Sequence, residues 1–163
     1  EFYAPHIRIF AGRLKDGMDK QQMIIQVADC IKKSLDYAAE RGVFLGLENH
    51  GGITEFVEDH LAICDAVGQH PWFGINLDGG NYHKDAWESL ARAARISVNV
   101  QIKVYMYDNE GKAFPVDIPR FGQLLVDAGY KGWVALEYEA EEDPRTAIPR
   151  WIAEMKKVFT GKA

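Results

Sequence analysis

The sequence predicts an α/β protein built as the last five strand–helix units of a (β/α) barrel, and three observations predict it. Apolar, β-rich runs alternate strictly with amphipathic helical patterns along all 163 residues, the grammar of a parallel sheet with right-handed crossovers. Four successive runs carry a polar side chain at or near their C-terminal ends: Glu48, Asp78, Gln101 and Glu137. An open sheet concentrates its site at one switch point, whereas polar groups at the same end of many strands suit a barrel mouth. A complete barrel has eight units and typically ~250 residues. Residues 1–163 are therefore expected to be the C-terminal part of a single domain, with three units missing at the N-terminus.

Taken in order, Ala4 to Gly12 reads as a short strand. Asp19 is placed to cap a helix reaching Glu40, in which Ile24, Val27, Ile31, Leu35 and Ala38 recur at helical spacing and Gly42 is a stop signal. Val43 to Leu47 is a buried strand ending in Glu48-Asn49-His50-Gly51-Gly52. A second helix follows Thr54, with Phe56, Leu61, Ile63 and Val67 on its apolar positions and Gly68 at its end. Trp72 to Leu77 is the next strand, ending in Asp78-Gly79-Gly80-Asn81, and Asp85 to Ile96 makes a third helix. Ser97 to Val104 alternates as a strand carrying Gln101 and Lys103, then leads into Tyr105-Met106-Tyr107 and the polar turn Asp108–Lys112. Asp117 and Pro119 start a fourth helix that Gly129 closes. Gly132 to Leu136 is the last strand, ending in Glu137-Tyr138-Glu139, and Asp143-Pro144 opens a helix running to about Phe159.

The totals exclude some classes. An apolar share of 47% with 26% charged residues is that of a globular domain. A net charge of −5 argues against a general nucleic-acid surface. No apolar run approaches the ~20 residues of a membrane span, no leader is visible, and a cytoplasmic location is the default expectation. Cys30 and Cys64 have no metal-type spacing and read as two buried thiols. Trp72 and Trp133 begin strands, which points to core packing.

Glu48, Asp78 and Glu137 with the amide oxygen of Gln101 form an all-oxygen set suited to a hard or borderline divalent ion. Carboxylates converging from buried strands repel one another unless a cation stands between them. Mn²⁺ fits best and Mg²⁺ next, since Zn²⁺ usually brings histidine or cysteine. The bland alternative for any single member is a solvated strand end; four at matched positions weaken it.

Leu47-Glu48-Asn49-His50-Gly51-Gly52, Asn76-Leu77-Asp78-Gly79-Gly80-Asn81, Val100-Gln101-Ile102-Lys103 and Ala135-Leu136-Glu137-Tyr138-Glu139 resemble the last four strand ends of the xylose-isomerase-like TIM barrel superfamily. Ile7-Arg8-Ile9-Phe10-Ala11-Gly12 resembles the strand before them, so the resemblance runs from about Pro5 to Phe159. It implies a metal-dependent sugar or sugar-phosphate isomerase or epimerase, working by proton transfer beside a carbonyl through an enediolate. Glu48 and Glu137 would remove and return the proton from opposite sides, and Glu48, Asp78, Gln101 and Glu137 would hold the ion. The chain departs from the family twice, with Gln101 in place of a histidine ligand and Asn81 in place of a histidine beyond the metal aspartate. An amide is a neutral, weaker donor than imidazole, and Asn81 can hydrogen-bond a sugar hydroxyl without exchanging a proton.

Other residues keep two readings. Lys103 shares its strand face with Gln101 and either pairs with the carboxylates or contacts a sugar oxygen. Arg8 binds substrate or makes a structural ion pair; His50 lines the site or packs in its loop. Glu139 shares a face with Glu137, and His6, His60, His70 and His83 show no ligand spacing. The expected partner is a small sugar or sugar phosphate, with self-association into a homo-oligomer left open. The alternative function is a non-catalytic carbohydrate-binding barrel that has lost a metal ligand. Phosphodiester hydrolysis, as in the endonuclease branch, ranks below both, because it needs a histidine-rich multi-metal site that this acidic chain lacks.

Overall fold

In the computed structural model, which describes residues 3–160, the elements run β1 (His6–Ile9), α1 (Lys20–Glu40), β2 (Phe44–Glu48), α2 (Val57–Val67), β3 (Phe73–Asp78), α3 (Ala86–Ala94), β4 (Ser97–Ile102), β5 (Tyr105–Tyr107), β6 (Ala113–Pro115), α4 (Ile118–Asp127), β7 (Val134–Leu136) and α5 (Pro144–Phe159). Strands β1, β2, β3, β4 and β7 lie side by side in that order, all parallel. Each pair is joined by a helix, which is five units of a TIM barrel. No helix among the described residues is long and apolar enough to cross a membrane.

Local chemistry sets the helix starts. The Asp19 carboxylate accepts from the Gln22 N–H (2.9 Å), Asp117 from Arg120 (2.9 Å) and Asp143 from Arg145 (3.0 Å), each satisfying one orphan donor of a first turn. Along α1, Met23, Ile24, Ala28, Ile31, Leu35 and Ala38 are buried, so one stripe of this helix packs inward. Leu45, Leu47, Ile75, Leu77, Val100 and Ile102 form the helix-facing layer of the sheet and are at most 7% exposed. Fully burying such a side chain is worth about 1.5–3 kcal/mol, so this layer anchors the strands whose other face carries the polar groups.

Several expectations need correction. Cys30 is exposed while Cys64 is buried: on α1, Cys30 stands about 100° around from Ile31, off the buried stripe. Trp133 is 83% exposed, because it precedes β7 at the open edge of the sheet; Trp72 is half-buried against Phe44. The second helix begins at Val57, after a 3₁₀ turn over Gly52–Thr54. The Thr54 hydroxyl faces the Glu48 and Gly51 carbonyls (3.0 Å each), and it receives the His50 N–H (3.1 Å). Beyond Ile102 the chain leaves the sheet and forms the antiparallel β5–β6 hairpin around the polar turn.

Candidate metal and substrate site

One face of the sheet is polar because of register. Side chains alternate along a strand, and the parallel pairings Arg8–Gly46, Gly46–Gly74, Asn76–Asn99, Asp78–Gln101 and Gln101–Ala135 keep like-facing residues side by side. Arg8, Glu48, Asn76, Asp78, Asn99 and Gln101 therefore share a face, joined by Lys103 just past β4 and Glu137 just past β7. Gly46 makes room for them: a Cβ there would stand 2.2 Å from His6 Nε2 and 3.0 Å from Asn76 Cβ.

The carboxylates stand in a web of donors. Glu48, 0% exposed, has His50 Nδ1 at 2.8 Å on one oxygen, with Asn81 Nδ2 at 3.5 Å. Its other oxygen receives Asn76 Nδ2 at 3.1 Å and Arg8 Nη1 at 3.1 Å. Gln101 Nε2 donates to Asp78 Oδ2 (2.9 Å) and Glu137 Oε2 (2.6 Å). Lys103 Nζ pairs with Glu139 and lies 3.6 Å from Asp78 Oδ2 and 3.5 Å from Glu137 Oε2. Arg8 also reaches Glu137, at 3.6 Å. The eight residues singled out from sequence, Glu48, Asp78, Gln101, Glu137, Arg8, Lys103, His50 and Asn81, thus stand in one cluster.

Burial pushes the Asp78 carboxyl up to about 7, and the neighbouring Glu137 adds to this against the opposing pull of Gln101 and Lys103. Burial also raises Glu137, but its hydrogen bond with Asp78 and the charges of Lys103 and Arg8 outweigh that and hold it below the usual carboxylate range. Desolvation works against the Lys103 ammonium, yet Glu139, Asp78 and Glu137 together keep it above its ordinary value. Asp78 and Glu137 are thus pushed in opposite directions while sharing the Lys103 ammonium.

By donor type the three carboxylates suit a divalent cation: they face the same end of the sheet and are buried or half-buried, with the Lys103 ammonium 3.6 Å from Asp78. Gln101 as oriented offers them N–H rather than a lone pair. Among the described residues no three His, Cys, Asp or Glu side chains stand in ligating geometry. The Gln101 amide and the Lys103 ammonium reach toward both Asp78 and Glu137. A cavity of about 530 Å³ adjoins the cluster, lined among others by Asn81, Lys103, Tyr105, Tyr138, Glu139 and Trp151, an aromatic and polar wall.

Three asparagines escaped the sequence reading. Asn76 bridges Glu48 and Gln101 (3.1 Å to each) and accepts from Asn99 Nδ2 at 2.7 Å. Asn49 donates to the Asp78 carbonyl (2.9 Å) and accepts the Asp78 N–H (2.8 Å), tying the end of β2 to the end of β3. Two-residue spacing was the available signal: Asn76 precedes Asp78, and Asn99 precedes Gln101, by one strand repeat.

The fold and this cluster define a (β/α)-barrel protein with an acidic strand-end site. The chain belongs to the xylose isomerase-like TIM barrel family, whose model matches residues 1–158. Among solved structures it is similar to a xylose isomerase domain protein from Planctomyces limnophilus (18% identity, TM-score 0.73, covering 97% of this chain and 60% of that one). It is also similar to the 3-keto-D-glucoside 4-epimerase YcjR from E. coli (17%, TM-score 0.70, 93% and 63%). A third likeness is to the IolI protein with a bound zinc atom (20%, TM-score 0.71, 95% and 64%). At these identities the likenesses establish the fold. The chain spans about three fifths of the length of the solved proteins it matches. No curated protein matches it.

Proposed function

We propose that this chain is the C-terminal part of a barrel enzyme that isomerises or epimerises a sugar or sugar phosphate by moving a proton beside its carbonyl. The observation that carries the reading is the convergence of Glu48, Asp78 and Glu137 from separate strand ends onto one polar face. Family membership supports an enzyme of this superfamily. The epimerase and the zinc-bound protein among its structural likenesses are consistent with the chemistry and with a divalent ion.

In this reading Glu48, Asp78 and Glu137 hold a divalent cation, Mn²⁺ or Mg²⁺ suiting the oxygen donors, with Gln101 facing the same point. When bound, such an ion supplies electrophilic pull on a substrate carbonyl and neighbouring hydroxyl. The chain's residues do the rest. Glu48 and Glu137, approaching from β2 and β7, take and return the proton, and their different sides of the site allow inversion at the reacting carbon. Arg8, which contacts both glutamates (3.1 and 3.6 Å), holds them in place and compensates their charge. Asn81 and Lys103, which line the adjoining cavity, bind the substrate's hydroxyls, with His50 beside Glu48 at 2.8 Å as a further hydroxyl partner.

The test is deuterium wash-in from D₂O at the carbon beside the carbonyl, in the full-length protein, across ketoses and their phosphates. Exchange that falls at least about a hundredfold in Glu48→Gln and Glu137→Gln supports the reading, since general acid–base catalysis contributes roughly 10²–10⁴-fold. No exchange with any ketose, with saturable sugar binding retained, favours a second reading: a carbohydrate-binding barrel without catalysis. The specific observation behind it is that Lys103 and Arg8 already neutralise part of the carboxylate cluster, while Gln101 donates hydrogen bonds to two of its members.

A further inference from the structure

We infer that Gln101 is not a ligand of the proposed ion but a competing donor, locked by Asn76 so that its N–H₂ occupies the carboxylate oxygens the ion needs. The inference rests on the divalent-cation reading above. Two amides stand in series between the carboxylates, and their direction is set from the Glu48 side. There Asn76 Nδ2 lies 3.1 Å from Glu48 Oε2, an oxygen that also pairs with the Arg8 guanidinium at 3.1 Å and so stands as an acceptor. Asn76 must therefore present its nitrogen on this side, and its oxygen is held by Asn99 Nδ2 at 2.7 Å. The same Asn76 nitrogen lies 3.1 Å from Gln101 Oε1, so Gln101 must present its oxygen to Asn76. That leaves Gln101 Nε2 for Asp78 Oδ2 and Glu137 Oε2.

Turning the Gln101 amide to ligate an ion would set its nitrogen against the Asn76 nitrogen, two donors with no acceptor between them. Asn76 cannot reverse in response without setting its oxygen against Glu48. Gln101 is 8% exposed and Asn76 1% exposed, so water is poorly placed to repair either mismatch. Gln101 thus keeps Asp78 and Glu137 from repelling each other when no ion is bound. It must give up hydrogen bonds to both when one enters. Asn76 and Asn99 are positioning residues for this arrangement.

The two roles predict opposite effects on ion affinity, which calorimetric titration of the full-length protein with Mn²⁺ reads directly. Gln101→Leu, close in volume and without donor or lone pair, is expected to bind Mn²⁺ as tightly as the unmodified protein or more tightly. A loss of about tenfold or more in affinity, equivalent to ~1.4 kcal/mol, would overturn the inference. A second measurement does not depend on the variant folding. The exchange rate of the Gln101 side-chain N–H₂ with solvent is measured by ¹⁵N spectroscopy, with and without Mg²⁺. Protection without ion that falls as Mg²⁺ saturates is expected. An amide exchanging at the free rate before any ion is added would refute the locking. If neither protein binds any ion, the cation reading fails and the competing role fails with it. Binding gained only in Gln101→Leu upholds the inference.

Discussion

Replacing Lys103 by Met tests the charge balance on which the candidate site stands. The ammonium lies 3.6 Å from Asp78 Oδ2 and 3.5 Å from Glu137 Oε2, with its side chain 14% exposed and that of Asp78 fully buried. At such a distance, with an effective dielectric constant near 20, one unit-charge pair is worth roughly 4–5 kcal/mol before desolvation. Desolvation of the ammonium and the part-protonated state of Asp78 take away some of that. The expected net loss is about 3 kcal/mol, within the usual cost of breaking a buried pair by removing one partner. Met keeps the length of the stem, so packing changes little. Urea unfolding with and without Mn²⁺ is the assay. Without ion, Lys103→Met should unfold at lower denaturant with an unchanged slope. Added Mn²⁺ should stabilise the variant more than the parent, since the ion then enters a site without a competing cation; at a hundred times its Kd the gain is about 2.7 kcal/mol. A variant as stable as the parent without ion, or one that gains no more from Mn²⁺, would refute the reasoning.

Other perturbations test the scaffold beneath the site. His60, fully buried and bonded through Nδ1 to Tyr82 Oη (2.7 Å), has its pKa pushed down by burial to about 4, so the folded protein keeps it neutral. Its contribution to stability is complete above the unfolded value near 6.5 and is lost as pH falls from there toward 4, up to about 3 kcal/mol. Equilibrium unfolding across that window should show the loss, and His60→Gln should flatten that part of the profile. Phe121→Ala removes a fully buried ring that lies under Gly79, where an added Cβ would stand 2.8 Å from its Cε2. A loss of about 3–5 kcal/mol by urea unfolding is expected. Asn49→Ala leaves the Asp78 N–H and C=O without their side-chain partners. It should cost about 2–3 kcal/mol and weaken Mn²⁺ binding in a titration, because Asp78 loses its fixed position.

Much of the fold was legible because the signals were local. Asp19, Asp117 and Asp143 cap the helices they were expected to cap, a short-range effect that tertiary context seldom overrides. The strands read well for the same reason: β2 and β3 are apolar runs closed by a carboxylate and two glycines, buried as a parallel sheet requires. What failed depended on neighbours. Trp133 looked like a core residue by type but sits at an open sheet edge, and the hairpin after Ile102 hides in a segment whose aromatics fit strand or loop equally.

The site divides along the same line. That Glu48, Asp78, Gln101 and Glu137 lie at one end of neighbouring strands follows from strand order and period, and the pairing of Asp78 with Gln101 makes the last pair neighbours. Which way the Gln101 amide faces does not follow from either, because nitrogen and oxygen are interchangeable in a one-dimensional reading. It is set through Asn76, the next residue in the network, which donates to Glu48 and accepts from Asn99. A histidine in that position would present a ring nitrogen whose lone pair survives in one tautomer. An amide between an asparagine nitrogen and two carboxylates has its direction fixed by what surrounds it. Where the resemblance implies a histidine, Gln101 therefore differs in kind and not only in strength as a donor: its amide nitrogen gives hydrogen bonds to Asp78 and Glu137.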